Sequence, residues 1–83
     1  MDTLKDVLIR ASVARCESEI ADAYAKIQLY LSTPVGVGEH PDIVSEILSA
    51  CEAGANAQEK LDFLKKASPR AQVLQSTMLQ STG

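Results

Sequence analysis

Ser32-Thr33-Pro34-Val35-Gly36-Val37-Gly38-Glu39-His40-Pro41 separates two long runs of helix-spaced apolar residues that mirror each other about it. If the chain folds back here, residues whose numbers sum to 73 or 74 come face to face. Leu31 then meets Ile43, Ile27 meets Ile47, Ile20 meets Gly54, Cys16 meets Ala57, Val13 meets Leu61 and Ile9 meets Leu64. An apolar or small residue opposes an apolar one at every level. Such matching specifies an all-α fold, an antiparallel two-helix hairpin.

Working outward from the turn, the first helix is predicted over 3–31. Its main stripe is Ile9, Val13, Cys16, Ile20, Tyr24, Ile27 and Leu31, close to a heptad seam. Asp2 or Thr3 can cap its start, and Asp6–Arg10 and Asp22–Lys26 are spaced for i,i+4 ion pairs. Thr33 precedes Pro34 and is driven toward extended backbone, which ends the helix. The turn is assigned to 32–40 and the second helix to 41–67, starting at His40 or Pro41. A proline is tolerated in a first turn because its missing N–H would have had no partner there. Asp42 and Glu46 at the start, with Lys65 and Lys66 at the end, suit the helix dipole. In its middle Ala50, Ala53, Gly54, Ala55 and Ala57 supply little bulk. Gly54 costs about 1 kcal/mol relative to Ala in a helix interior, so close packing against Ile20 or Tyr24 is expected there. Residues 68–83 read as a tail or a short C-terminal helix: Ser68 and Pro69 form a helix-start signal, with Leu74 and Met78 as its apolar side.

Eighty-three residues with 46% hydrophobic content form one domain near the size where a single core is marginal. Further apolar rows flank the main stripe: Val7, Ala11, Ala14, Ala21 and Ala25 on the first helix, and Val44, Leu48, Cys51 and Ala55 on the second. One antiparallel contact cannot cover faces that wide. A homodimer of hairpins forming a four-helix bundle would.

Charge and composition exclude several function classes. A net charge of −3, with basic residues clustered only at Lys65, Lys66 and Arg70, argues against nucleic-acid binding. There is no 18-residue apolar run and no signal-peptide pattern at the N-terminus, so neither a membrane span nor export is expected. Cys16 and Cys51 miss each other by six residues in the mirrored register, roughly 9 Å of helix rise, too far for an intrachain bridge. They read as small buried thiols of a reducing compartment.

No catalytic, cofactor-binding or metal-ligating set emerges. His40 is the sole histidine, so no His-based metal cluster or dyad can form within one chain. The cysteines lie mid-helix, away from a helix N-terminus that would activate a thiol. Gly36 and Gly38 precede no phosphate-loop motif and suit a turn. Glu19-x-x-Asp22 and Glu59-x-x-Asp62 each put two carboxylates on one helix face, as in magnesium-dependent helical enzymes. The mirrored register keeps the two pairs apart within one hairpin, so a divalent-metal enzyme would need an acidic site built across a dimer. His40-Pro41-Asp42 matches the tripeptide of J-domain co-chaperones. Glu39 before it, and a preceding helix that ends Tyr30-Leu31-Ser32 instead of in basic residues, speak against that class. Val35 and Val37 either cover the end of the hairpin or form an apolar tip presented to a partner, with Glu39 and His40 at its rim.

The segment from Pro34 to Val44, following a helix that ends Ile27-Gln28-Leu29-Tyr30-Leu31, resembles small uncharacterised proteins of T4-type tailed phages of marine bacteria, cyanophages especially. In those proteins a similar turn joins two helices, and a run like Asn56-Ala57-Gln58-Glu59-Lys60-Leu61 follows in the second. The resemblance covers roughly residues 14–64. That family has no assigned activity, so no catalytic residue carries over. It implies a viral or metagenomic origin and expression inside a bacterial host. A cytoplasmic location is expected, with association to the virion also compatible, and a host or phage protein is the further partner that an interaction protein of this kind would take. The sequence as a whole reads as a small non-enzymatic structural or interaction protein.

Overall fold

The computed structural model describes residues 3–32 and 42–73. The turn residues Val35, Val37, Glu39 and His40 lie outside the described residues, as do Leu74 and Met78. Two long helices pack against each other: α1, Leu4–Ser32, and α2, Ile43–Ala67. No strand occurs among the described residues. The antiparallel hairpin expected from the mirrored sequence is the observed architecture.

The helix ends follow local chemistry. Thr3 caps α1, its hydroxyl accepting from the Asp6 N–H at 3.2 Å. In the last turn of α1 the Ser32 hydroxyl donates back to the Gln28 carbonyl at 2.7 Å. α2 starts later than expected: Asp42 is its N-cap, not its first turn, and the carboxylate accepts from the Ser45 N–H at 3.1 Å. A side chain that binds an otherwise unpartnered amide outweighs the tolerance of Pro41 for a helical position. Ser68 closes α2 in extended geometry, its N–H donating to the Leu64 carbonyl at 2.8 Å. Its own carbonyl accepts from the Ala71 N–H at 3.0 Å, and residues 69–73 are helical after Pro69. The helix-start signal at Ser68-Pro69 therefore operates.

Burial defines the seam. On α1 the inward positions are Ile9, Val13, Cys16, Ile20, Ala23, Ile27 and Tyr30. On α2 they are Ile43, Ile47, Ala50, Gly54, Ala57, Leu61 and Leu64, continued by Ser68 and Ala71. Both series alternate steps of four and three without interruption, which is the 3.5-residue period of a coiled-coil seam. The expected stripe departs from this at two points. Tyr24 and Leu31 are each 65% exposed, and their neighbours Ala23 and Tyr30 face the partner helix instead. Leu31, expected to face Ile43, is thus turned largely outward. A stripe with two successive steps of four drifts around the helix, whereas alternation of four and three keeps one line facing the partner.

The core proper lies toward the open end. Ile9, Val13, Leu61 and Ala71 form one buried cluster, with Cys16, Ile20 and Leu64 packed against it. Membership of Val13 and Leu61 in that cluster agrees with their predicted pairing. Past that cluster, in its middle, the seam narrows to Ala23, Ala50 and Gly54. A methyl group placed on Gly54 would sit 2.9 Å from the Ala23 Cβ, so the backbones approach closely there. Close packing at Gly54 was expected, but Ala23 makes it, not Ile20 or Tyr24.

Candidate functional site

Two grooves flank the small-residue part of the seam, and they differ in chemistry. One, of about 320 Å³, is lined by Tyr24, Ile27, Cys51, Ala55 and Gln58 beside the seam residues Ile20, Ala23, Ala50 and Gly54. The other, of about 450 Å³, is lined by Glu19, Asp22, Lys26, Tyr30, Glu46, Ser49, Asn56 and Lys60. Ala23 and Ala50 reach both grooves, so they mark the dividing line. Heptad geometry explains the split. In an antiparallel pair, the positions one step past the seam on both helices share one side, and those one step before it share the other. Tyr24, Cys51 and Gln58 stand on the first side, and Glu19, Lys26, Glu46 and Lys60 on the second.

The first face is apolar near the turn. Tyr24, Leu31, Val44 and Leu48 are 60–66% exposed on it. The flanking rows expected to lack cover are uncovered in the single chain: Val7, Ala11, Ala14, Ala21, Ala25 and Ala55 are exposed. Cys51 belongs with them. It is exposed and free, while Cys16 is half-buried at the seam, so only one of the two cysteines fits the expectation of buried thiols. Cys51 follows Ala50 immediately and is turned out of the seam by that one-residue step.

Three acidic residues, Glu19 and Asp22 on the polar face and Asp62 on the other, are engaged with their own helices. Asp22 pairs with Lys26 at 3.2 Å, as spaced in the sequence, and Glu19 lies 3.8 Å from Arg15. Asp62 accepts from the Gln58 amide at 3.1 Å and lies 3.7 Å from Lys65. Among the described residues no group of three or more metal-ligating side chains converges. Asp6 also takes part in a long-range bond: it accepts from Arg70 Nε at 3.3 Å, across 64 residues of sequence. That bond ties the segment after Pro69 to the start of α1, beside the fully buried Ala71. Sequence reading missed Ala23, Tyr30 and Arg70. Strict four-three alternation would have found the first two, but no local pattern points to Arg70.

Among the described residues no helix is long and apolar enough to cross a membrane. No family model, curated protein or solved structure matches this chain.

Proposed function

We propose that this protein is a small non-enzymatic helical module that works through protein contacts, self-association into a four-helix bundle first among them. One observation carries this: a continuous face bearing Tyr24, Leu31, Val44 and Leu48 lies open on a hairpin whose own core is slight. Among the described residues seven are buried, and four of those are alanines. Two helices with so few large buried side chains gain little from apolar burial, and covering a second face is the ordinary remedy. The resemblance of the turn to proteins of T4-type marine phages supports a role inside an infected bacterial cell, with a host or phage protein as a further partner. Val35, Val37, Glu39 and His40 are the residues proposed to meet that partner.

Sedimentation of the purified chain across a wide concentration range tests self-association. A dimer is expected, and a monomer at every concentration would remove it. Thermal melts with and without magnesium or manganese test for a metal-dependent enzyme. No rise in midpoint is expected, because the carboxylates Glu19, Asp22 and Asp62 have partners on their own helices and specific binding to the native state would have to raise it. For the turn, Val37→Ser is expected to leave the melting midpoint in place while abolishing capture of the partner.

A further inference from the structure

Resting on the self-association proposed above, we infer that the second copy covers the Tyr24–Leu48–Cys51 face with both turns at the same end, α1 of each copy lying along α2 of the other. The two-fold axis then runs along the long axis of the hairpin. Polarity along the face sets this direction. Near the turn it carries Leu31, Val44 and Leu48, and toward the open end it carries Arg10, Asp62 and Lys65. Copies pointing the same way place apolar on apolar. They also bring Arg10 of one copy to the level of Asp62 of the other, opposite charges at the rim. The single Tyr24 ring meets the small Cys51 of the other copy at its own level, large against small.

Copies pointing opposite ways and fully overlapped would lay the Asp62–Lys65 ion pair on Leu31 and Val44, stripping it of water at a cost that commonly exceeds its own attraction. Sliding them until only the apolar halves overlap avoids that but sacrifices area. The two helices run together for about 40 Å, and the hairpin is 24 Å wide. The whole face therefore offers on the order of 900 Å², close to the roughly 800 Å² per partner of a standard interface. Half of that falls in the range of weak encounters. An isologous contact also requires each patch to complement itself, which this face does in one direction only.

Cross-linking at two levels, with sedimentation alongside, tests the arrangement. In Cys16→Ser, Cys51 is the sole cysteine; in Cys16→Ser/Cys51→Ser/Gln58→Cys, the sole cysteine lies two helical turns toward the open end. Under this arrangement a short bismaleimide couples two copies at both levels. Cross-linking at only one level overturns the direction, since opposed copies would change their separation by about 20 Å between the two sites. Leu48→Glu is expected to raise the dimer dissociation constant about tenfold or more by placing a charge in the contact, with helical circular dichroism retained. Ser49→Glu, on the polar face, should leave it unchanged. A parent that dimerises regardless of Leu48→Glu but not with Ser49→Glu overturns the face alone. A parent that is monomeric throughout overturns this inference together with the self-association beneath it.

Discussion

Toward the open end of the hairpin the seam holds Ile9, Val13 and Leu61; in its middle the equivalent positions hold Ala23, Ala50 and Gly54, before Ile27, Tyr30, Ile43 and Ile47 follow toward the turn. The geometry is one continuous four-three alternation, yet the first two stretches stabilise the fold differently. Val13 and Leu61 are 0% and 1% exposed, and burial of side chains that size contributes about 1.5–3 kcal/mol each. Ala23 and Ala50 are nearly as buried but remove little apolar area from water. What they permit is approach, close enough that a methyl on Gly54 would collide with the Ala23 Cβ. The open half holds the hairpin together, and the small-residue stretch brings two backbones near and leaves Tyr24 on the outside.

The largest effect that bears on this contrast is Leu61→Ala. It should destabilise by about 3 kcal/mol, as loss of a buried leucine commonly does, read by chemical denaturation at fixed protein concentration. A loss no greater than that at an exposed alanine of α2 would mean the core is not centred at the open end. Gly54→Leu should come next, at about 1–3 kcal/mol, because overpacking a close contact outweighs the gain in helix propensity. Ala23→Gly in the same chain should recover part of that loss, and full additivity would deny the contact. A Gly54→Leu variant that melts above the parent would break the comparison outright.

Gly54→Ala sharpens it. Helix propensity alone predicts a gain of about 1 kcal/mol, but the 2.9 Å approach to a methyl fixed on the facing helix should cancel or reverse it. The smallest expected effect is at the open end. Arg70→Ala should cost less than about 1 kcal/mol, since the bond to Asp6 joins partly exposed groups, and the loss should shrink further in high salt.

Much of this was legible in the residues themselves. The 3.5-residue apolar series, the capping hydroxyl of Thr3 and the Ser68-Pro69 start signal all operate where local chemistry places them. Each depends on neighbours a few positions away, or on a register that matching size and apolarity already restrict. The start of α2 was misplaced because Pro41 and Asp42 both suit a helix N-terminus, and only the bond from the Ser45 N–H to the Asp42 carboxylate distinguishes cap from first turn. Asp6–Arg70 was not legible, since its partners stand at opposite ends of the chain and no periodicity links them.

The sequence by itself determined the all-α hairpin and, at Val13 and Leu61, a pair that shares its core. Only the tertiary structure decided the rotation of α1 about its own axis, and with it whether Ala23 or Tyr24, Tyr30 or Leu31, points inward. Apolarity cannot make that choice, because at each of those levels the more apolar or larger candidate is the one left outside. The separation of the backbones makes it: opposite a glycine there is room for a methyl group and none for a tyrosine ring.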